Sequence, residues 1–353
     1  MNALVLEGTN RLSLRDISLT GSMGPSDVRI DVKTVGICGS DIHYYLHGAI
    51  GPFVVRAPMV LGHEASGVIT EVGSDVVGLS PGDRVCMEPG IPDLSSRASK
   101  LGLYNLDPKV QFWATPPVHG CLTPSIIHPA AFTYRLPDSV SFAAGAMVEP
   151  LAVGMHAVVK AEIRPGDVAL VSGCGPIGIL TALAALAGGC SRVIITDVQQ
   201  AKLDIAAKYE NVLPVNVSDQ RIDTFVAELT NGWGVDVVFE ASGSSSAIEN
   251  ATRVVRPGGL IVLIGMPAAK VPVDIVEAQS KEITFKSIFR YANVYDRAIA
   301  LLASGKINID RLVTHRYPFD RSIEAFDFAA TGNPSAVKIQ IEFPDVIVGT
   351  GTA

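Results

Sequence analysis

Four residues in the first 150 positions form a candidate set of ligands for a transition metal. Cys38 lies two positions after one glycine and directly before another. The pair His63 and Glu64 directly follows a glycine, and Glu149 directly precedes a proline. Thiolate, imidazole and carboxylate together suit Zn²⁺, and three such ligands leave one coordination position open for catalysis. Taken singly, a cysteine is more often a small buried apolar residue, and a histidine a core residue. The set favours a catalytic zinc site, with purely structural roles as the alternative.

A second group of residues could bind a phosphate. Residues 173–178 read Gly-Cys-Gly-Pro-Ile-Gly and lie between a predicted strand and a predicted helix. Gly173 would allow a tight turn, Gly175 would let the backbone approach a pyrophosphate, and Gly178 would let the helix pack on the strand. Asp197 follows Gly178 by 19 residues and ends the next predicted strand. A carboxylate at that place can bind both ribose hydroxyls of a dinucleotide.

This order of strand, turn, helix and acidic residue predicts a dinucleotide site. Pro176, Ile177 and Lys202 are assigned to it as well. Because the carboxylate of Asp197 would repel a 2′-phosphate, NAD is favoured over NADP, and Lys202 is a nearby cation that could soften this preference. A structural turn followed by chance by an aspartate is the alternative.

The elements that must position these residues differ between two parts of the chain. Up to about residue 145, short alternating runs such as 28–32 and 68–72 predict a β-rich domain, and residues 88–130 are interpreted as a long surface excursion. From 166 onward, strands and helices alternate as in βαβ units with a parallel sheet. The predicted elements of that part are strands at 168–172, 193–196, 235–239 and 260–264 and helices at 177–188, 201–208 and 295–304. The apolar run 336–343 is expected to return to the first domain.

Composition limits the class of protein. The chain has 353 residues, of which 48% are apolar, and a formal net charge of −7. This length favours two domains, the apolar fraction excludes disorder, and the acidic balance argues against nucleic acid or an anionic membrane as the main partner. The charge-free stretch 168–191 has the length of a membrane span, but its five glycines and Pro176 favour a strand, a turn and a helix. Five scattered cysteines and an N-terminus without a secretory signal pattern predict a soluble cytoplasmic enzyme.

The two candidate sites together resemble those of the zinc-dependent medium-chain dehydrogenases, and within them the polyol dehydrogenases of the sorbitol and xylitol dehydrogenase type. The similar stretches are GICGSDIHYY (36–45), PMVLGHEASGVI (58–69), GDRVCMEPG (82–90), GLYNLDP (102–108), FWATPPVHG (112–120), VEPLAVG (148–154), SGCGPIG (172–178) and FRYANVY (289–295). The resemblance implies a fold of class α/β plus β. A GroES-like β-barrel catalytic domain, residues 1–151 and 291–353, would carry an inserted Rossmann NAD-binding domain, residues 152–290.

The resemblance also implies roles for particular residues. The metal ligands would be drawn from Cys38, His63, Glu64 and Glu149, and whether Glu64 or Glu149 contacts the zinc directly stays open. Ser40 and His43 would relay the proton to solvent, with Glu149 and a water molecule as the alternative route. Asp41 would orient His63. The residues implied for polyol binding are Tyr44, Phe112, Glu149, Arg290 and Tyr291.

One departure from the wider family concerns a structural zinc. Many zinc alcohol dehydrogenases hold such an ion with four closely spaced cysteines, whereas residues 87–120 contain no cysteine and carry Ser95, Ser96 and Ser99 in the corresponding region. A tetrathiolate site cannot form there. We expect one catalytic zinc per chain.

The resemblance predicts an NAD-dependent polyol 2-dehydrogenase. Zinc would lower the pKa of a substrate hydroxyl, and hydride would pass from the alkoxide carbon to the nicotinamide. Xylitol with D-xylulose is the first choice of substrate pair, and sorbitol with D-fructose the second. A threonine or simple-alcohol dehydrogenase, a zinc-free quinone reductase and a catalytically silent NAD-binding protein are the alternatives. The resemblance further suggests a homotetramer without nucleic-acid or membrane partners.

Overall fold

The computed structural model describes residues 2–19 and 21–344. In this part of the chain there are twenty strands and eleven α-helices. The strands are β1 (Asn2–Gly8), β2 (Arg11–Asp16), β3 (Asp27–Gly36), β4 (Ala49–Ile50), β5 (Phe53–Val54), β6 (Met59–Val60), β7 (Glu64–Val72), β8 (Arg84–Met87), β9 (Gly90–Ile91), β10 (Gln111–Phe112), β11 (Ser125–Pro129), β12 (Thr133–Arg135), β13 (Val168–Ser172), β14 (Arg192–Asp197), β15 (Val212–Asn216), β16 (Val235–Glu240), β17 (Val255–Leu263), β18 (Thr284–Ser287), β19 (Val313–Pro318) and β20 (Lys338–Glu342).

The helices are α1 (Gly39–His47), α2 (Arg97–Lys100), α3 (Phe142–Ala146), α4 (Val148–Ala161), α5 (Pro176–Gly188), α6 (Gln200–Ala206), α7 (Ile222–Leu229), α8 (Ser245–Val254), α9 (Ile275–Ser280), α10 (Tyr295–Ala303) and α11 (Ser322–Ala330). Within the described ranges, no helix combines the length and the apolar character that crossing a membrane requires. The charge-free stretch at 168–191 is divided between β13 and α5.

The chain forms two units. The first is built from three segments, which run up to Ser95, from Asp107 to Glu149 and from Val313 onward. The second contains Ser96–Leu106 and Pro150–Leu312. The resemblance implies a second domain at 152–290, and the second unit of the structure also contains residues 150–151, residues 291–312 and the short segment that carries α2.

The first unit is a β-structure around one apolar core. Its largest sheet has the strand order β12-β8-β7-β3-β20-β19, with β11 also paired to β3. A three-stranded sheet has the order β2-β1-β6, and β4 with β5 and β9 with β10 form two-stranded sheets. Along β3, buried and half-buried residues alternate, because successive side chains of a strand point to opposite faces. Leu4, Ile30, Leu61 and Phe326 are fully buried in the core. Strand β20 pairs with β3, so the C-terminal apolar run returns to this unit as the sequence predicts.

The second unit is a six-stranded parallel sheet with the order β15-β14-β13-β16-β17-β18. The chain starts in the middle at β13, builds outward to β15, and then returns to the other side of β13 with β16. The strand order therefore reverses between β13 and β16, and the crevice at the carboxyl ends of such strands is where open α/β sheets bind ligands.

Several predicted bounds differ from the structure. Strand β17 begins at Val255 rather than at 260, because Val255 already pairs with Val235 before the ladder is interrupted and resumes at Leu260. The region 88–130 is only partly at the surface: Trp113 and Leu122 are buried in the core of the first unit, and the backbone of Leu4 donates a hydrogen bond to Leu122. Helix α1 lies within a region predicted to be β-rich.

Candidate metal and nucleotide sites

Cys38 and His63 are held by one buried carboxylate. Cys38 is the N-cap residue of α1, and its backbone N–H donates to Oδ2 of Asp41 over 3.0 Å. The other oxygen, Oδ1, accepts the backbone N–H of Gly62 at 3.0 Å and lies 3.7 Å from Nδ1 of His63. The last distance is too long for a hydrogen bond but short enough for charge attraction. Asp41 therefore ties the start of α1 to the loop that carries His63.

The charges at this place act on one another. Burial raises the pKa of the Asp41 carboxyl, but the imidazole of His63 and the N–H groups of Cys38 and Gly62 outweigh it, so the pKa is lowered. Burial lowers the pKa of His63, but the negative charges of Asp41 and Cys38 raise it well above its ordinary value. The surroundings of His63 thus favour positive charge, as a cation site must.

Glu64, the first residue of β7, pairs with Lys338, the first residue of β20. Nζ of Lys338 lies 2.7 Å and 2.6 Å from the two carboxylate oxygens, and it donates to the carbonyl of Ile37 at 3.2 Å. Both side chains are almost completely buried, with an exposed fraction of 2% for Lys338 and 1% for Glu64. Burial acts to lower the pKa of Lys338, but Glu64 and Cys38 raise it overall.

Gly36 leaves the space that Glu64 occupies. It is the register partner of Glu64 between β3 and β7, and a Cβ at this position would lie 2.0 Å from the Oε2 atom of Glu64. Any side chain at residue 36 would therefore move the carboxylate. Sequence reasoning noted the glycines near the ligands but did not identify Lys338.

The residues present fit a zinc ion. The ligand atoms of Cys38, His63 and Glu64 all lie within 4.8 Å of one another, and this is the one such group of three or more found in the described residues. A thiolate, an imidazole and a carboxylate are a suitable donor set for zinc, and the raised pKa values of His63 and Lys338 show that the surroundings are rich in negative charge. The ring centroid of Phe112 is 5.7 Å from that of His63.

Glu149 is not a member of this group of three. It lies in the first turn of α4 and is buried, with 7% exposure. Its charge contributes to the raised pKa of Lys338 and to that of the buried Cys121 thiol, for which burial is the largest cause. Glu149 therefore lies within electrostatic range of Lys338 and Cys121.

The predicted proton relay lies on α1. Ser40 and His43 are separated by three positions, so they share one face of the helix. Ser40 is half-buried and His43 is exposed, whereas Tyr44 is buried in the core of the first unit. Exposure to solvent thus increases along this face from Ser40 to His43.

Two positions of the turn at 173–178, Gly173 and Gly178, require glycine. Gly173 has φ = +100°, and a Cβ on it would lie 3.0 Å from the backbone of Ser242. A Cβ on Gly178 would lie 1.8 Å from the carbonyl oxygen of Gly173, whereas one on Gly175 would have no heavy atom within 4 Å. Gly175 is the N-cap residue of α5 and Pro176 its first residue, followed by Ile177. The open space at Gly175 is therefore next to the free N–H groups of the helix.

Asp197 is bound to this turn. Its Oδ2 accepts the backbone N–H of Cys174 at 2.8 Å, and its Oδ1 accepts that of Gln199 at 2.9 Å. A pocket of about 550 Å³ lies beside these residues, with Gly173 and Asp197 in its lining. Lys202 is not in the lining; its backbone carbonyl accepts the thiol of Cys174.

Sequence reasoning missed a buried acid behind this pocket. Glu240 ends β16 and has no exposed surface. Its carboxylate accepts the backbone N–H groups of Ser242 and Gly243 and the hydroxyl of Ser242, which itself lines the pocket. The one sequence feature that pointed to this place was the predicted turn at Ser242. Glu240 itself could not be identified, because nothing in the local pattern distinguishes a buried from an exposed glutamate.

The remaining predicted substrate residues lie in the second unit. Arg290 is half-buried with φ = +55°, and its guanidinium carbon lies 4.9 Å from the ring centroid of Phe289. Tyr291 is buried, and its ring centroid is 5.5 Å from that of Tyr295. Tyr44 and Phe112 belong to the first unit.

Comparison with known families identifies the class. Residues 24–138 match the alcohol dehydrogenase GroES-like domain, and residues 176–304 match the zinc-binding dehydrogenase family. The chain belongs to the zinc-dependent polyol dehydrogenases of the medium-chain dehydrogenase family. The predicted fold class and enzyme class are thereby confirmed, and zinc and NAD are the cofactors of this class.

Individual relatives agree over nearly the whole chain. A D-xylulose reductase of Morganella morganii is 58% identical over 94% of this chain and 98% of its own length. The sorbitol dehydrogenase of Mus musculus is 40% identical over 96% of each chain. The crystal structure of an Escherichia coli oxidoreductase/dehydrogenase of unknown specificity has a TM-score of 0.93 at 33% identity and covers 98% of this chain and 99% of that one.

The buried ion pair predicts a large stability change. We expect Lys338→Met to lower the free energy of unfolding by about 3–5 kcal/mol, because Glu64 would keep a buried charge without its partner. Adding Glu64→Gln should recover part of the loss, and Arg56→Met, which removes an exposed cation in the same unit, should change stability by less than about 0.5 kcal/mol. Urea unfolding measures all four proteins. A double variant no more stable than Lys338→Met would contradict this account.

Substitutions in the glycine turn should affect protein stability and nucleotide affinity differently, depending on the position. Gly175→Ala should leave thermal stability without nucleotide nearly unchanged, because the methyl group meets no protein atom. It should weaken NADH binding about tenfold or more, since the methyl group enters the space beside the helix N-terminus. Gly178→Ala should lower both stability and affinity. Fluorescence titration with NADH and thermal unfolding test the pair, and wild-type affinity in Gly175→Ala would reject the assignment.

Proposed function

We propose that this protein interconverts a polyol and its 2-ketose with NAD⁺ and NADH, and that xylitol and D-xylulose are the preferred pair. The observation that carries the proposal is the group formed by half-buried Cys38 with buried His63 and Glu64, in a chain that also has a glycine turn at a helix N-terminus. The choice of xylitol is supported by the greater identity to a D-xylulose reductase, 58%, than to a sorbitol dehydrogenase, 40%. Sorbitol and D-fructose are the second candidate pair.

Cys38 and His63 would hold the zinc, and Glu64 is the third candidate ligand. A carboxylate has about four lone pairs, so Glu64 can keep both contacts with Lys338 and still offer one lone pair to a metal. When bound, zinc acts as a Lewis acid on the substrate hydroxyl and NAD⁺ accepts the hydride. Because residues 87–120 contain no cysteine, we propose a single zinc per chain.

The other residues of the chain would bind, orient and move protons. Asp41 keeps Cys38 and His63 in their mutual positions through the two backbone N–H groups it accepts. Ser40 and His43 take the proton along α1 to solvent, and Glu149 with a water molecule is the second route. We assign hydroxyl binding to Tyr44, Phe112, Glu149, Arg290 and Tyr291.

The nucleotide would bind with its pyrophosphate at the start of α5. Gly173, Gly175 and Gly178 shape that turn, with Pro176 and Ile177 as the first residues of the helix. Asp197 would accept the ribose hydroxyls, and its charge favours NAD over NADP because a 2′-phosphate would meet a carboxylate. Lys202 is retained as a nearby cation. By resemblance, we also propose a cytoplasmic homotetramer, for which light scattering should give four chain masses; a monomer would reject it.

The test is NADH formation with a panel of polyols and threonine, before and after zinc removal. We expect activity on xylitol, lower activity on sorbitol, loss of both after chelation and recovery with added Zn²⁺. Metal analysis of the active protein should give one zinc per chain. Activity that survives complete zinc removal, or activity on threonine alone, would reject the proposal, and two tightly held zinc ions would reject the single site.

Arg290 provides a sharper test of substrate binding. A guanidinium has five donors in a fixed arrangement, which suits a row of hydroxyl oxygens. Arg290→Ala should lower kcat/KM for xylitol about 10–100-fold while NADH affinity stays unchanged, because one charged hydrogen bond contributes about 1.5–3 kcal/mol. Alanine carries a Cβ as arginine does, so the backbone strain at φ = +55° is the same in the variant and in the wild type. Arg290→Lys is the matched control, and its kcat/KM for xylitol should lie between those of Arg290→Ala and the wild type. An unchanged kcat/KM in Arg290→Ala would reject the role of Arg290 in substrate binding and indicate a structural role instead.

A further inference from the structure

We propose that the exposed face of α1 carries a second metal site, formed by His43 and His47, that takes a divalent transition metal ion such as Zn²⁺ or Ni²⁺. The two residues are four positions apart, which places them next to each other on the helix surface. Both are exposed, and their ring centroids are 4.7 Å apart with the ring planes inclined at 63°.

This separation is compatible with chelation of one ion by both rings. Zinc binds a histidine nitrogen at about 2.0–2.1 Å, so two imidazoles on one ion, at bond angles between about 90° and 110°, have centroids about 4.5–5.2 Å apart. The observed 4.7 Å lies within this interval. Chelation would also require a nitrogen of each ring to face the shared ion, and both side chains are exposed, so rotation about their side-chain bonds can bring this about.

The position on the helix also favours a cation. α1 ends at His47, and Gly48 caps it in a left-handed conformation with φ = 71°. The carbonyl groups of a last helical turn carry a partial negative charge, which stabilises positive charge beside them. The pair supplies two ligands and water would complete the coordination, so the affinity should be well below that of the site at Cys38 and His63.

The site has a consequence for turnover, which rests on the proposed relay through His43. A metal ion on the imidazole of His43 occupies the lone pair that would accept the proton. Excess Zn²⁺ or Ni²⁺ should therefore inhibit the enzyme without displacing the zinc at Cys38.

The test uses the holoenzyme with one zinc per chain and Ni²⁺ as the probe. Calorimetric titration should show one Ni²⁺ bound per chain, with zinc content unchanged. His47→Gln should weaken Ni²⁺ binding at least tenfold and keep the basal activity, since His47 has no part in the relay. Under Ni²⁺ concentrations that inhibit the wild type, His47→Gln should stay active. His315→Gln, which removes a histidine outside α1, should bind Ni²⁺ as the wild type does.

Two results would overturn the site: no Ni²⁺ binding to the wild type, or equal binding to His47→Gln. Ni²⁺ binding that depends on His47 but leaves the wild-type activity unchanged at saturation would support the metal site and reject the inhibition. In that case the relay through His43, which belongs to the proposed function, would be the part in error.

Discussion

The structure of the first unit depends on compensating charges that are buried together. Asp41, Glu64 and Lys338 have almost no exposed surface, and His63 has little. Removing an ion from water costs several kcal/mol, so each of these groups must find partners inside the protein. Asp41 is satisfied by two backbone N–H groups and by the nearby imidazole, and Glu64 is satisfied by Lys338. The candidate ligands are therefore fixed by the same contacts that make their burial possible.

This requirement explains why strand β20 belongs to the first unit. Lys338 is the first residue of β20, and it lies 274 positions after Glu64. Its ammonium group reaches the carboxylate because β20 pairs with β3, which in turn pairs with β7, where Glu64 begins the strand. Gly36 ends β3 without a side chain and so leaves room for that carboxylate. The pairing of β20 with β3 and the candidate metal site are thus coupled through one ion pair.

The parallel sheet could be predicted because its signals are local. Strand β13 has the predicted bounds, 168–172, and α5 begins one residue before the predicted 177, at Pro176. Lys338 and Glu240 could not be predicted, because their partners are set by the fold rather than by neighbours in sequence. Helix α1 was missed for another reason: it is only nine residues long and begins with Gly39, Ser40 and Asp41, which are typical of turns.

The two candidate sites use the same device to position their loops. At the metal site, a buried carboxylate, Asp41, accepts backbone N–H groups from Cys38 and Gly62. At the nucleotide site, Glu240 accepts those of Ser242 and Gly243. An anionic acceptor forms stronger hydrogen bonds than a neutral one, and a backbone N–H cannot leave its place as a side chain can. Contacts within the protein thereby hold the loops that carry the candidate binding groups, which lowers the ordering cost of binding a metal or a nucleotide.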